Sequence, residues 1–444
     1  MVCNYRPISL LSNLNKILEK IVHTRVYSFL EEFNCLYSYQ FGFRKKHSTN
    51  HALIEITETI RQALDNKKMA CGVFVDLQKA FDTVNHEILV AKLEHYGIRG
   101  TANAWFSSYL SNRTQYVSIL GFDSSTKTIR HGVPQGSVLG PLLFLIYIND
   151  LHTAIKNSKV FHFADDTNFL NICDSPKKMQ KLVNADLKIL YNWLLANKIS
   201  LNCDKTEIVF FRKPGERSPN LKIKMNGNRI YPSKYIKYLG MFLDETLNGA
   251  IHAKNLSTKL KRATGMLCKA RHYVLKDDLR SLYFAIFSSH LIYASQIWGQ
   301  VTNSFNQKVF NLQNRALRII SFSNFRANCN PLYSNLNILK LRDQITLQNC
   351  LFTYDALKNT TPRCFSDYFK LTRDSHNLNT RMAKLGCLFP LTYGTLRYGI
   401  FSITNKCISN WNALSKKLNI DLLTLTRYQL KSKIIHLLKE DYNV

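Results

Sequence analysis

Val160-Phe161-His162-Phe163-Ala164-Asp165-Asp166-Thr167-Asn168-Phe169-Leu170 sets two adjacent carboxylates between two strand-like runs. No lysine or arginine lies inside this hairpin to neutralise them. Aspartate is depleted in strands and like charges side by side repel, so the offset must come from outside the local sequence. A divalent cation would supply it. A charged surface turn is the plainer alternative, and the stretch by itself does not choose between them.

The composition narrows the choice. A chain of 444 residues holds two or three domains with a substantial core. Its 45% apolar and 20% charged residues are ordinary for a globular protein, but 60 Lys+Arg against 30 Asp+Glu leave a net charge of +30. That excess runs through the whole chain rather than a tail, which favours a polyanionic partner, usually nucleic acid. A membrane is disfavoured, because the longest apolar run, Val138 to Ile148, is too short to span one. Eleven scattered cysteines with no Cys-x-x-Cys pair, and no signal peptide, predict a reducing compartment and mostly buried thiols. Cys268 and His272 share a helical face, but two ligands make no zinc site, and a core thiol is expected at Cys268.

Outward from the hairpin, periodicity orders the elements. Ser12 or Asn13 caps a long helix whose Leu14, Ile17, Leu18, Ile21, Val22, Val26, Phe29, Leu30 and Phe33 fall at three- and four-residue steps, predicting one apolar face. A second amphipathic helix spans about Ser48 to Asn66. Ala70-Cys71-Gly72-Val73-Phe74-Val75-Asp76 reads as a buried strand closed by an acid, which places Asp76 at a sheet edge where ligands bind. Asp82 or Thr83 is expected to cap the next helix, ended by Gly97. His131-Gly132-Val133-Pro134-Gln135-Gly136-Ser137 is a glycine-punctuated loop before a nearly all-apolar helix. Beyond the hairpin come a helix, further strands and the segment Tyr235 to Asp244. The alternation to that point matches the split βαβ arrangement of a ferredoxin-like palm. Past Gly249 the chain is helical, beginning with a strongly basic helix from Lys254 to His272.

In such a palm two central antiparallel strands bring Asp76 to Asp165 and Asp166. Three carboxylates would then hold two Mg²⁺ ions about 3.5–4 Å apart for in-line phosphoryl transfer. Singly, the supporting residues have ordinary alternatives: Phe81 as a core aromatic, Gln135-Gly136 as a turn, Lys205 as a solvated lysine, Arg6 and Arg44 as surface cations.

As an ordered series they resemble the reverse transcriptases of non-long-terminal-repeat (LINE-like) retrotransposons. The series runs Tyr5-Arg6-Pro7-Ile8-Ser9-Leu10, Gln40-Phe41-Gly42-Phe43-Arg44, Phe74-Val75-Asp76 through Phe81-Asp82, Gly132 through Pro141, Phe163-Ala164-Asp165-Asp166, Asn202 to Thr206, and Tyr238-Leu239-Gly240. The resemblance implies an α+β right-hand polymerase with fingers, ferredoxin-like palm, helical thumb and a mainly α-helical C-terminal region. It implies RNA-directed DNA polymerase (nucleotidyltransferase) activity on an RNA template, a DNA primer and deoxynucleoside triphosphates, with two Mg²⁺ ions or Mn²⁺ in their place. Asp76, Asp165 and Asp166 would be the metal-binding catalytic carboxylates and Lys205 an acid for leaving pyrophosphate. Arg6 would contact the triphosphate, Phe81 would gate the sugar, and Gln135 and Gly136 would line the nucleotide pocket. Tyr238, Leu239 and Gly240 would grip the primer, Arg44 would hold template backbone, and Lys259, Lys261 and Arg262 of the basic helix would grip duplex phosphates.

The expected organisation is fingers and palm over 1–244, thumb over 250–325 and a helical region of unassigned role over 326–444. Against full-length relatives the sequence reads as truncated at its N-terminus, without room for an endonuclease domain ahead of the polymerase. It shows no ribonuclease H acidic set and no Cys-Cys-His-Cys knuckle. The competing expectation is therefore a truncated, catalytically inactive nucleic-acid-binding remnant. Localisation would be nuclear, cytoplasmic or both.

Overall fold

A computed structural model describes residues 8–201, 205–300, 303–375, 380–391, 402–440 and 442. Two compact units are present. The first comprises residues 1–48, 69–210 and 218–233, and the second residues 49–68, 211–217 and 234–444.

In the first unit, helix α1 (Asn13–Glu32) opens at Ser12, whose hydroxyl accepts from the Asn15 amide at 3.2 Å. Its apolar stripe faces inward only in the second half, where Val22, Val26 and Phe29 pack against the core. Leu14, Ile17, Leu18 and Ile21 are exposed, and the buried side carries Glu19, Tyr27 and Leu30. Hydrogen bonds made by Glu19, described below, fix that rotation of the helix. Helix α2 (Thr49–Asp65) belongs to the second unit. Strand β1 (Met69–Val75) is followed by helices α3 (His86–His95), α4 (Thr101–Leu110) and α5 (Gly140–Ile148). Strands β2 (Lys159–Phe163) and β3 (Asp166–Cys173), helix α6 (Pro176–Ala196) and strand β4 (Glu207–Phe211) complete the palm.

The four strands form one sheet in the order β2-β3-β1-β4. Second, third, first, fourth is the ferredoxin-like order, and it makes the hairpin strand β3 the antiparallel neighbour of β1. Helix α6 packs across β1 and β3 through Val183, Leu187, Leu190 and Leu194, and α5 is buried along its whole length against α3. The α+β class and palm topology expected from the sequence are both present. The cap of α3 is not where it was expected: Asn85 Oδ1 accepts from the Ile88 amide at 3.0 Å. Asp82 lies too early, because Gly132 N and Val133 N donate to the Val84 and Phe81 carbonyls and hold residues 81–84 out of the helix.

In the second unit α2 is buried almost all round, although its sequence is amphipathic. Its acids have partners from far along the chain. Glu58 accepts from Ser402 Oγ (2.7 Å), Ile403 N (2.9 Å) and Thr404 Oγ1, and pairs with Arg61 at 3.2 Å. Glu55 accepts from the Tyr368 hydroxyl at 2.6 Å. A hairpin, Tyr235–Tyr238 with Met241–Asp244, precedes helix α7 (Ala250–Ala270). Cys268 on α7 is exposed rather than in the core, because Leu256, Leu260, Ala263 and Leu267 supply the buried stripe. Among the described residues no helix is long and apolar enough to cross a membrane.

Candidate active site at the hairpin turn

The Phe163↔Asp166 pair closes the hairpin on two residues, Ala164 and Asp165. Ala164 takes φ 57°, a left-handed conformation that a residue with a Cβ adopts at a cost of about 1–2 kcal/mol. The surrounding structure enforces it. Gln40 Oε1 accepts from both Ala164 N (3.2 Å) and Gly42 N (2.9 Å), and residues 39–41 bond alongside β2 through Phe41 N to His162 O (2.8 Å) and His162 N to Tyr39 O (3.0 Å). Gly42 is required at its position, since a Cβ there would lie 2.2 Å from Ala164 N. The Gln40-Phe41-Gly42 segment therefore acts as a brace behind the turn that presents Asp165.

Register then brings the first acid in. Val75 pairs with Thr167 at the end of β1, so Asp76, the residue that follows the strand, leaves the sheet at the same edge where Asp166 opens β3. All three aspartates are partly accessible. Lys205 Nζ lies 3.6 Å from Asp76 Oδ2, with the lysine side chain 70% exposed. Among the described residues no three acidic, histidine or cysteine side chains converge closely enough to hold a metal ion. The donors are nonetheless oxygens only, at the accessible ends of adjacent strands. A sparse oxygen set fits a hard cation such as Mg²⁺, which takes most of its ligands from substrate and water.

The flanking loop is strapped to the same place. Phe81 stacks on Phe144 (4.8 Å between centroids) and meets Phe43 edge-on (6.1 Å), remaining partly exposed. Gln135 Nε2 donates to Asp82 Oδ1 at 2.8 Å, and the Gln135 carbonyl accepts from Ser9 N at 2.8 Å. Gly136, at φ 105°, has the Ser9 carbonyl 3.2 Å from where a Cβ would stand. Gly132 admits still less, because a Cβ there would meet the Asp82 backbone at 2.8 Å. Residues 8–9, 81–86 and 131–137 thus form one strapped layer that carries Phe81 and Gln135 together.

Sequence reasoning missed the residue that anchors this layer. Glu19 is fully buried, and its Oε2 accepts from Val138 N (2.7 Å) and Leu139 N (3.4 Å) just ahead of α5. Its Oε1 accepts from the Tyr109 hydroxyl (2.8 Å) and Asn15 Nδ2 (2.9 Å). A carboxylate at a helix N-terminus satisfies amides that the helix cannot. The available signal was weak: an acid three residues before an apolar helix would suggest a cap, but this one lies far away in sequence.

Other expected site residues fall elsewhere. Arg6 lies outside the described residues, as do Asn202 to Asp204. Arg44 is committed internally, pairing with Glu31 at 2.8 Å and donating to the Tyr37 carbonyl at 2.7 Å, so its guanidinium is a tie between loop and helix rather than an outward-facing cation. In the second unit, Tyr238 is buried, and Leu239 and Gly240 form a turn with φ 43° and 80°. The Leu239 carbonyl accepts from the Tyr293 hydroxyl. Lys259, Lys261 and Arg262 are exposed along α7.

His162 gives this hairpin a pH signature. Burial, with a smaller contribution from the charge of His152, pushes its imidazole well below the ordinary histidine range, to about 3. The folded state thus holds it neutral, while the unfolded chain protonates it near its ordinary pKa of about 6.5. Its contribution is complete above that value and is lost as pH falls from about 6.5 toward 3. Between pH 7 and pH 5 the loss should be about 2 kcal/mol. Urea unfolding of the wild type and His162→Gln at both pH values checks this. Equal pH dependence in the two proteins would show that His162 is not the group responsible.

Residues 2–243 match the family model "Reverse transcriptase (RNA-dependent DNA polymerase)". The RNA-directed DNA polymerase from mobile element jockey of Drosophila melanogaster is 31% identical over 376 residues, covering 81% of this chain and 40% of the relative. The probable RNA-directed DNA polymerase from transposon X-element of the same organism is 27% identical over 398 residues, covering 86% and 42%. The chain therefore spans about two-fifths of the length of the relatives it matches. Among solved structures, telomerase from Candida tropicalis in complex with a fragment of telomeric RNA aligns with TM-score 0.39 at 14% identity, covering 73% of this chain and 56% of that one. The match over more than half of the chain, on the residues that build the hairpin, its brace and the strapped loop, makes this protein a member of the reverse transcriptase (RNA-dependent DNA polymerase) family.

Proposed function

We propose that the chain copies an RNA template into DNA, extending a DNA primer with deoxynucleoside triphosphates. The observation that carries this is the β1–β3 register, which ends β1 just before Asp76 at the edge where the braced turn presents Asp165 and Asp166. The family generally works with divalent metal ions. Here Asp76, Asp165 and Asp166 would hold two Mg²⁺ ions, which when bound would acidify the attacking hydroxyl and offset charge on the leaving pyrophosphate. Lys205, exposed and 3.6 Å from Asp76, would give a proton to that pyrophosphate. Gln135, tied to Asp82, orients the nucleotide. The exposed cations of α7 hold duplex backbone without reading its sequence.

Phe81 is the proposed sugar gate. Its ring is held by Phe144 and Phe43, so it cannot swing away from an added 2′-hydroxyl. Phe81→Val should relax discrimination against ribonucleotides by roughly tenfold to a hundredfold, the scale of a steric pocket contact. Single-nucleotide incorporation with matched deoxy- and ribonucleotides measures it, and unchanged discrimination would reject the gate.

The second reading, a binding remnant without catalysis, has the Asp76–Lys205 ion pair in its favour, because that pair engages one of the three acids. Primer extension on an RNA template with Mg²⁺ separates the two. Product supports the polymerase, and tight template–primer binding without product supports the remnant.

A further inference from the structure

Between α4 and the strapped loop a two-stranded ribbon stands off the palm. Thr114–Gln115 pairs with Lys127–Thr128, and Ser118–Ile119 with Phe122–Asp123. Two residues on one strand face three on the other between these pairs, a bulge that sharpens the ribbon's twist. Every residue from 114 to 128 is exposed. At the tip, Leu120 and Gly121 take φ 50° and 85°, the two positive values of a type I′ turn. Such a turn favours asparagine or aspartate at its first position, yet a leucine 95% exposed sits there. Beside it Ile119 and Phe122 stand opposite one another on one face, 64% and 81% exposed, with Val117 and Tyr116 also in water. A run of large apolar side chains that the fold does not bury marks an interaction surface.

The charge identifies the occupant. Residues 113–130 carry Arg113, Lys127 and Arg130 against the single acid Asp123. Arg113 lies over the Tyr109 ring at 5.2 Å, with its Nη1 buried and lacking an acceptor. A second copy of a chain carrying +30 would bring like charge to this surface. Nucleic acid brings phosphates to the cations, and an unpaired strand also offers base faces to the apolar tip, which a duplex keeps stacked inside. The root of the ribbon is fixed at the site: Ile129 N donates to the Arg113 carbonyl at 2.8 Å, and His131 bridges Asn85 at the start of the loop that carries Gln135 and Gly136.

We infer that this ribbon is a binding arm for single-stranded nucleic acid, its tip stacking on unpaired bases and its cations meeting phosphates. That the strand is the template rests on the polymerase function proposed above; the binding itself does not.

The test is fluorescence anisotropy of the full chain with a labelled single-stranded RNA of about 15 nucleotides and with a blunt duplex of the same sequence. The variant Ile119→Ser/Leu120→Asn/Phe122→Thr removes the tip but installs the Asn-Gly pair that a type I′ turn prefers, so the ribbon keeps its fold. It should bind single-stranded RNA roughly tenfold more weakly, the scale of losing one stacked base, and the duplex within about twofold of wild type. Lys127→Ala should weaken binding to the single strand and lower its salt slope by about one phosphate contact. Unchanged single-strand affinity in the tip variant overturns the inference. So does an equal loss on both ligands, or a wild-type dimer in sedimentation that the tip variant dissolves. A chain that passes this test yet makes no primer extension keeps the arm and loses the polymerase function.

Discussion

Asp165→Ala should lower primer extension on an RNA template by on the order of a thousandfold or more, with template–primer affinity within about twofold of wild type. The expectation follows from where Asp165 sits. It is the second residue of a two-residue turn, partly accessible, next to Asp166 and at the sheet edge where β1 ends before Asp76. Removing it leaves the backbone intact, because the positive φ of this turn is at Ala164 and the Gln40 brace bonds Ala164 N rather than the Asp165 side chain. The substitution also relieves repulsion with Asp166, so thermal stability should hold or rise slightly while activity disappears. That opposition of stability and activity is the mark of a group retained for chemistry. Extension by the variant at near wild-type rate would remove Asp165 from the site.

Glu19→Ala has the largest expected effect on stability, about 3–4 kcal/mol, through buried donors left without an acceptor. Val138 N, Leu139 N and the Tyr109 hydroxyl all lose their carboxylate oxygen. Burial and the Glu19 hydrogen bond already raise the Tyr109 phenol to about 12, so it stays a donor at any working pH. Glu19→Gln should recover more than half of the loss. Its carbonyl oxygen can face the two amides while its NH₂ donates to the tyrosine oxygen. Hydrogen exchange read at residues 138–140 localises the effect. If exchange there is unchanged in Glu19→Ala, the carboxylate does not hold α5.

What the sequence disclosed was whatever short-range pattern determines. An apolar run ending in Asp76 had to be a buried strand, and an Asp-Asp pair between two such runs had to be a hairpin in need of an offsetting charge. Topology then followed from alternation, because few arrangements pair β1 with that hairpin. Glu19 was opaque for the opposite reason. On α1 it reads as one more solvated acid, and only a hydrogen bond to an amide 119 residues away shows that its side of the helix is the inner one. The same bond leaves Leu14, Ile17, Leu18 and Ile21, the first half of the stripe, on the outer side. Asp82 misled as a cap because the competing bonds to residues 132 and 133 come from another part of the chain. Arg44 looked like an outward cation, since neither Glu31 nor the Tyr37 carbonyl signals its geometry in sequence. Helix α2 likewise gives no local sign that its acids are buried.

Helix α2 sets a timetable for biosynthesis. Its Glu58 finds Ser402 344 residues later in the chain, and its Glu55 finds Tyr368 313 residues later. At translation rates of about 5–20 residues per second, α2 leaves the ribosome roughly 17 to 70 seconds before residue 402 exists to meet it. Through that interval its acids have water for partners, and the apolar side chains between them have no finished core to enter. The palm, whose strands all precede residue 212, can condense first while α2, inserted in the sequence between α1 and β1, still waits for its partners. The nascent chain would therefore expose α2 longest, which makes that segment the place where a holdase chaperone has most to protect.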